Sequence, residues 1–162
     1  MPLENNMQTA AKYLSEKGAI ITGSFALKSL GFFGDNSKRN IHDIDIVFPS
    51  IDQFKQFVVN CNEELVIDQT VLQPEEYTDN YYKCSLLNYN FKIDSFIRSN
   101  DISTINFDGI NYEKPREIVK AKIDILFDRF MNVDDATYNK HREDLHYIFE
   151  ISRNLVDKDI TI

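Results

Sequence analysis

A chain of 162 residues, 43% hydrophobic and 27% charged, suits one domain with a packed core and excludes a disordered or fibrous chain. Its net charge of −8 argues against non-specific nucleic-acid binding, which draws on Lys and Arg, and leaves a carboxylate surplus that suits a divalent cation. Cys61 and Cys84 lack CxxC spacing and nearby histidines, MPLENNMQ lacks a signal-peptide pattern, and no apolar run approaches the ~18 residues of a membrane span. The expectation is a cytoplasmic protein with no membrane segment and two reduced, buried thiols.

Residues 4–17 read as a helix whose apolar stripe is Met7, Ala10 or Ala11, and Leu14, stopped at Gly18. Residues 19–22, AIIT, follow as a short buried strand. Gly23-Ser24 interrupts it, and a helix over 25–30 ends at Gly31. The glycine- and asparagine-rich stretch GFFGDNSKRN, 31–40, reads as a loop. IHDIDIVF, 41–48, alternates with period two and predicts a strand. One face carries Ile41, Asp43, Asp45 and Val47; the more apolar face carries His42, Ile44, Ile46 and Phe48 and turns to the core. Ser50 caps a helix over 51–62, and 65–72 predict another strand, followed by a polar loop over 73–80.

Residues 81–87 and 90–97 predict a hairpin turning near Asn88, with Asp94 inside the apolar run FKIDSFI. Asp108-Gly109 predicts the turn of a second hairpin over 102–112. Beyond Pro115 the period becomes helical. Val119, Ile123, Leu126 and Phe130 form the expected core stripe, beside a half-cationic stripe of Ile118, Lys122, Ile125 and Arg129. A last helix, capped by Asp134-Asp135, spans about 136–153 and turns Leu145, Ile148, Phe149 and Ile151 inward. The order predicts an α/β (α+β) domain with a mixed sheet flanked by helices. Its core is 1–115, and 116–162 is a short helical tail packed on it.

Two carboxylates two residues apart on a strand project side by side and repel, a cost that a bound cation removes. Asp94 on a second strand would complete a three-carboxylate set, Asp43, Asp45 and Asp94, able to hold Mg²⁺ (or Mn²⁺) for phosphoryl chemistry. Gly23 allows close backbone approach at a strand-to-helix turn, and free N–H groups at the following helix start favour an anion.

These residues resemble a known family. ITGSFALKSL, then RNIHDIDI (Arg39–Ile46) and KIDSFI, are similar to the nucleotidyltransferase superfamily of polymerase-beta-type fold. Its signature is Gly-Ser or Gly-Gly before a helix, Asp-x-Asp on a strand, and a third Asp on a later strand. Arg39, four residues before Asp43, and the helical tail with Lys122, Arg129 and KHREDL resemble the AbiEii-type toxin and small-molecule members. The resemblance implies that Asp43 and Asp45 bind metal and that Asp94 is the third ligand or the base. It implies that Gly23 and Ser24 hold the β- and γ-phosphates, with Arg39, Lys122 and Arg129 as further nucleotide contacts. The 18 residues between Ser24 and Asp43 exceed the usual gap, so the 31–40 loop would be an insertion at the mouth of the site.

The expected function is metal-dependent transfer of a nucleoside monophosphate from an NTP to a hydroxyl on a small molecule, protein or RNA. The alternative keeps the fold without turnover, as a nucleotide- or partner-binding module, for example in a toxin–antitoxin or phage-defence pair. Local readings compete with some of these roles. Lys122 and Arg129 also read as surface cations with buried stems, Lys140 and Asp144 as an i,i+4 pair, and His42 as structural. His141 and His146 lack metal-ligand spacing. Tyr81 and Tyr82 are candidates to stack on a base.

Overall fold

The computed structural model describes residues 3–34, 39–68, 81–98, 101–127 and 135–157. Among them lie five helices: α1 (Leu3–Glu16), α2 (Gly23–Ser29), α3 (Ile51–Cys61), α4 (Pro115–Phe127) and α5 (Asp135–Asp157). Seven strands accompany them: β1 (Ile20–Thr22), β2 (Asp43–Phe48), β3 (Leu65–Ile67), β4 (Tyr81–Leu86), β5 (Lys92–Ile97), β6 (Thr104–Phe107) and β7 (Ile110–Glu113). The predicted α/β class holds. The stretch 69–72 of the third predicted strand, the 73–80 loop, residues 35–38, Arg129, Phe130 and Asp134 lie outside the described residues. No helix among the described residues is long and apolar enough to cross a membrane.

The chain divides into two compact units, 1–26 with 41–114, and 27–40 with 115–162. The first holds one mixed sheet in the order β3-β4-β5-β2-β1-β7-β6. β2 runs parallel to β5 and antiparallel to β1, while β1 runs parallel to β7. Both predicted hairpins form. β4 and β5 turn through Asn88 and β6 and β7 through Asp108-Gly109, each of these turn residues at positive φ.

One sheet face is apolar because alternate residues of every central strand are. Ile44, Ile46 and Phe48 of β2, Ile93 and Ile97 of β5, and Tyr82 and Cys84 of β4 are buried there. α3 lays Phe54 and Phe57 on this face. Phe54 stacks on Tyr82 at 4.5 Å and meets Phe48 edge-on at 5.4 Å, and Phe57 lies 5.0 Å from Phe48. Such pairs add about 0.5–1.5 kcal/mol each beyond area burial. The Ser50 hydroxyl accepts from the Gln53 N–H at 3.2 Å and caps α3 as expected. α1 buries Met7, Ala10, Ala11 and Leu14, the predicted stripe.

Three expectations are corrected. Val47, on the same strand face as the acids, is fully buried, so only the Asp43–Asp45 end of that face is open. Tyr82 is a core residue against Phe54, not a base-stacking one. His42 lies exposed, just before β2 rather than within it.

The second unit pairs α4 with α5. Among the α4 side chains described, Ile118 and Lys122 are buried, whereas Val119, Ile123 and Leu126 are half-buried. The Ile118–Lys122 part of the half-cationic stripe thus faces inward, and the rest of that stripe, Ile125 and Arg129, lies outside the described side chains. On α5, Leu145 and Ile148 are buried as predicted, but Phe149 is 55% exposed and Asp144 takes an interior place at 0%. A charge on each helix decides this packing, because two opposite charges can be buried together and neither can be buried alone.

Candidate active site

β2 brings Asp43 and Asp45 to one face by strand alternation, and both are half-buried. The parallel pairing of β2 with β5 makes Asp45 and Asp94 direct Cα partners. Neighbouring strands lie about 4.8 Å apart, so the two carboxylates share one small area of the sheet. Thr22 faces Asp45 from β1 and Lys83 faces Asp94 from β4, giving a polar row Thr22, Asp45, Asp94, Lys83 across four strands. Lys92 is the Cα partner of Asp43, yet neither lysine forms an ion pair with an aspartate among the described residues.

Gly23 closes the other side. It opens α2 at φ 71°, in the left-handed region where a side chain is strained. A Cβ there would fall 2.2 Å from Asp45 Oδ2 and 2.9 Å from its Cγ. Backbone conformation and the carboxylate therefore both demand glycine. Ser24 follows in the first turn of α2.

Beside the acids, on the Thr22 side, lies a network the sequence reading did not foresee. Glu113, at the end of β7, is 3% exposed, and its Oε1 accepts from Thr22 Oγ1 and from Arg98 Nη2, both at 2.7 Å. The Arg98 N–H also donates to Phe48 O at 2.9 Å, which anchors the chain leaving β5. The only signal in the sequence was a glutamate closing the short strand INYE.

Tyr81 donates its hydroxyl to Asp94 Oδ1. Its pKa is pushed up, first by burial and then by the hydrogen bond to Asp94, with the negative field of Asp94, Asp45 and Asp43 adding to it, so the phenol stays a donor. The three aspartates thus act on one ring. This partner was legible in principle. A turn centred on Asn88-Tyr89 sets Lys83 opposite Asp94 and puts Tyr81 on the same face, one pleat along.

Three aspartates form a hard oxygen set of the kind Mg²⁺ or Mn²⁺ takes. Their chemistry and shared strand face fit such an ion. Among the described residues, no group of three or more His, Cys, Asp or Glu is arranged to hold a metal.

Within the second unit, Arg39 and Lys122 come together on one carboxylate. Arg39 Nε donates to Asp144 Oδ1 at 2.7 Å and Lys122 Nζ to Asp144 Oδ2 at 3.0 Å. Lys122 also meets His141 Nδ1 at 3.1 Å. All three charged groups are buried, with side-chain exposures of 9%, 4% and 0% for Arg39, Lys122 and Asp144. This corrects two local readings. Lys122 buries its ammonium as well as its stem, and Asp144 pairs with Arg39 and Lys122 rather than Lys140, which is exposed.

No family model matches the sequence, and no curated protein matches it. Solved structures do share its architecture. It is similar to the Megavirus polyadenylate synthase, with TM-score 0.60 and 14% identity, over 91% of this chain and 30% of that one. It is similar to a candidate nucleotidyltransferase from Helicobacter pylori, with TM-score 0.54, 16% identity, and coverage of 90% and 66%. The third, JHP933 from Helicobacter pylori, gives TM-score 0.52, 17% identity, and coverage of 90% and 63%. The chain spans less than a third of the viral enzyme and less than two thirds, narrowly in the first case, of the two bacterial proteins. At these identities the likeness is one of fold, which this chain shares with those three structures.

Proposed function

We propose that the chain transfers a nucleoside monophosphate from an NTP to a hydroxyl acceptor and releases pyrophosphate. The observation that supports this most is the Asp45–Asp94 register pair with Gly23 pressed against Asp45. Asp43, Asp45 and Asp94 would hold Mg²⁺ or Mn²⁺, which when bound neutralises phosphate charge. Gly23 and Ser24 would receive the β- and γ-phosphates. The acceptor oxygen forms a bond to the α-phosphorus as the bond from that phosphorus to the bridging oxygen breaks. Pyrophosphate leaves with the electron pair, and the acceptor proton passes to the Asp94 carboxylate, the strand partner of Asp45. Arg39 and Lys122 are engaged by Asp144, so their part in holding phosphate is secondary in this proposal.

Incubation with each α-labelled NTP, Mg²⁺ or Mn²⁺ and cell extract tests it. Label transfer to a small molecule, protein or RNA that disappears in Asp45→Asn supports the transferase. NTP binding with no transfer to any acceptor overturns it in favour of a silent binding module, for instance one half of a toxin–antitoxin pair.

A further inference from the structure

Tyr81 opens β4 on the face that carries the aspartates, opposite Phe96 and one pleat from Asp94. Its ring leans on Phe96 with 5.2 Å between centroids and a 47° tilt, and its hydroxyl donates to Asp94 Oδ1. The strand order places Asp94 between Tyr81 on β4 and the Asp43–Asp45 pair on β2. A carboxylate turns toward its donor, and a ring wedged on Phe96 is a fixed donor. The bond therefore ties one oxygen of Asp94 to the β4 side of the site, while strand pairing holds its backbone beside Asp45.

We propose that Tyr81 is a positioning residue that latches Asp94 to β4, and that the divalent cation must draw Asp94 off the Tyr81 hydroxyl toward Asp43 and Asp45. The proposal rests on reading the three aspartates as the metal site. Hydroxyl and cation then compete for one carboxylate. The latch keeps Asp94 compensated while the site is empty of charge-neutralising metal, and it weakens cation binding by the strength of one charge-assisted hydrogen bond.

Tyr81→Phe removes the hydroxyl and keeps the ring on Phe96. In calorimetric titration it should bind Mg²⁺ about ten- to a hundredfold more tightly than the unchanged chain. The chain has 8 tyrosines and no tryptophan, so phenol emission is unmasked. A phenol bonded to a carboxylate is quenched, so saturating Mg²⁺ should raise the tyrosine emission of the unchanged chain and leave Tyr81→Phe flat. A merely structural role for Tyr81 would produce neither change. Mg²⁺ affinity unchanged or weakened in Tyr81→Phe, or no emission response in the unchanged chain, overturns the latch. Should Tyr81→Phe fail to fold by circular dichroism, the emission response of the unchanged chain decides alone. Asp45→Asn separates the two readings. If it loses Mg²⁺ while Tyr81→Phe changes nothing, the latch fails and the metal site stands. If the unchanged chain binds no Mg²⁺, or binds it as Asp45→Asn does, the metal site fails and the latch with it.

Discussion

Gly23 lies so close to Asp45 that a Cβ on the glycine would stand 2.2 Å from the carboxylate Oδ2, well inside van der Waals contact. The glycine is also at φ 71°, where L side chains are strained by about 1–2 kcal/mol. Gly23→Ala must push Asp45 aside or unwind the first turn of α2. It should lower the unfolding free energy by roughly 1–3 kcal/mol. It should also cut NMP transfer at least tenfold, as expected for a displaced catalytic group. Urea titration and the labelled-NTP assay measure the two effects. A stable variant of undiminished activity would show that Asp45 does not need its present place.

Asp144 is the fully buried acid between Arg39 and Lys122. Removing one partner from a buried ionic group strands the others, at a cost of about 3–5 kcal/mol. Asp144→Ala should therefore destabilise the chain by that amount in urea unfolding. Arg39→Met, Lys122→Met and Asp144→Leu combined should recover most of the loss, because no buried charge is then left unpaired. A triple variant as unstable as the single one would mean that the charges hold more than one another.

The two groups of residues differ in how far they can be read from the chain. IHDIDIVF sets Asp43 and Asp45 on one face through period two alone, and the turn at Asn88 sets Lys83 opposite Asp94. Both rest on local spacing, whereas the parallel pairing that brings Asp94 beside Asp45 joins strands far apart in the chain. Asp144 and Lys122 lie 22 residues apart and Asp144 and Arg39 105 apart, so no local period shows that they meet. Lacking that pairing, helical periodicity favours the all-apolar stripe Val119, Ile123, Leu126 over Ile118 and Lys122, and it turns Phe149 inward though it is exposed. Glu113 was hidden for the same reason. Its partners Thr22 and Arg98 stand 91 and 15 residues away.

Glu113 takes both hydrogen bonds on one oxygen, from a buried threonine and a partly exposed arginine. Glu113→Gln keeps an acceptor of the same shape for Thr22 and loses the charge that holds Arg98. The expected cost is about 1 kcal/mol. Glu113→Ala leaves the Thr22 hydroxyl without its acceptor and should cost about 2–3 kcal/mol. Because Thr22 is the strand partner of Asp45, Glu113→Ala should also weaken Mg²⁺ binding, while Glu113→Gln should not. Equal stability losses for the two variants would assign the whole effect to the Arg98 charge.

His141 should give the second unit a pH dependence of definite sign. Its ring accepts from Lys122 through Nδ1 at 3.1 Å, which leaves the proton on Nε2 and the ring neutral. Burial first, and then repulsion by Lys122, with smaller contributions from Lys140 and Arg39, lower its pKa from 6.5 to about 4 against the opposing pull of Asp144. In the unfolded chain the ring takes its proton near pH 6.5, and in the folded chain only near 4. Between these values the unfolded state binds more protons, so stability falls as the pH drops through the window. Above about 6.5 the His141 contribution is fully present and flat; below about 4 it has been lost and is flat again. His141→Gln keeps a side-chain acceptor for Lys122 and cannot titrate. Thermal midpoints of the two proteins should therefore run parallel above the window, with the unchanged chain falling more steeply inside it. Identical slopes would show that His141 is protonated in the folded protein as readily as in water.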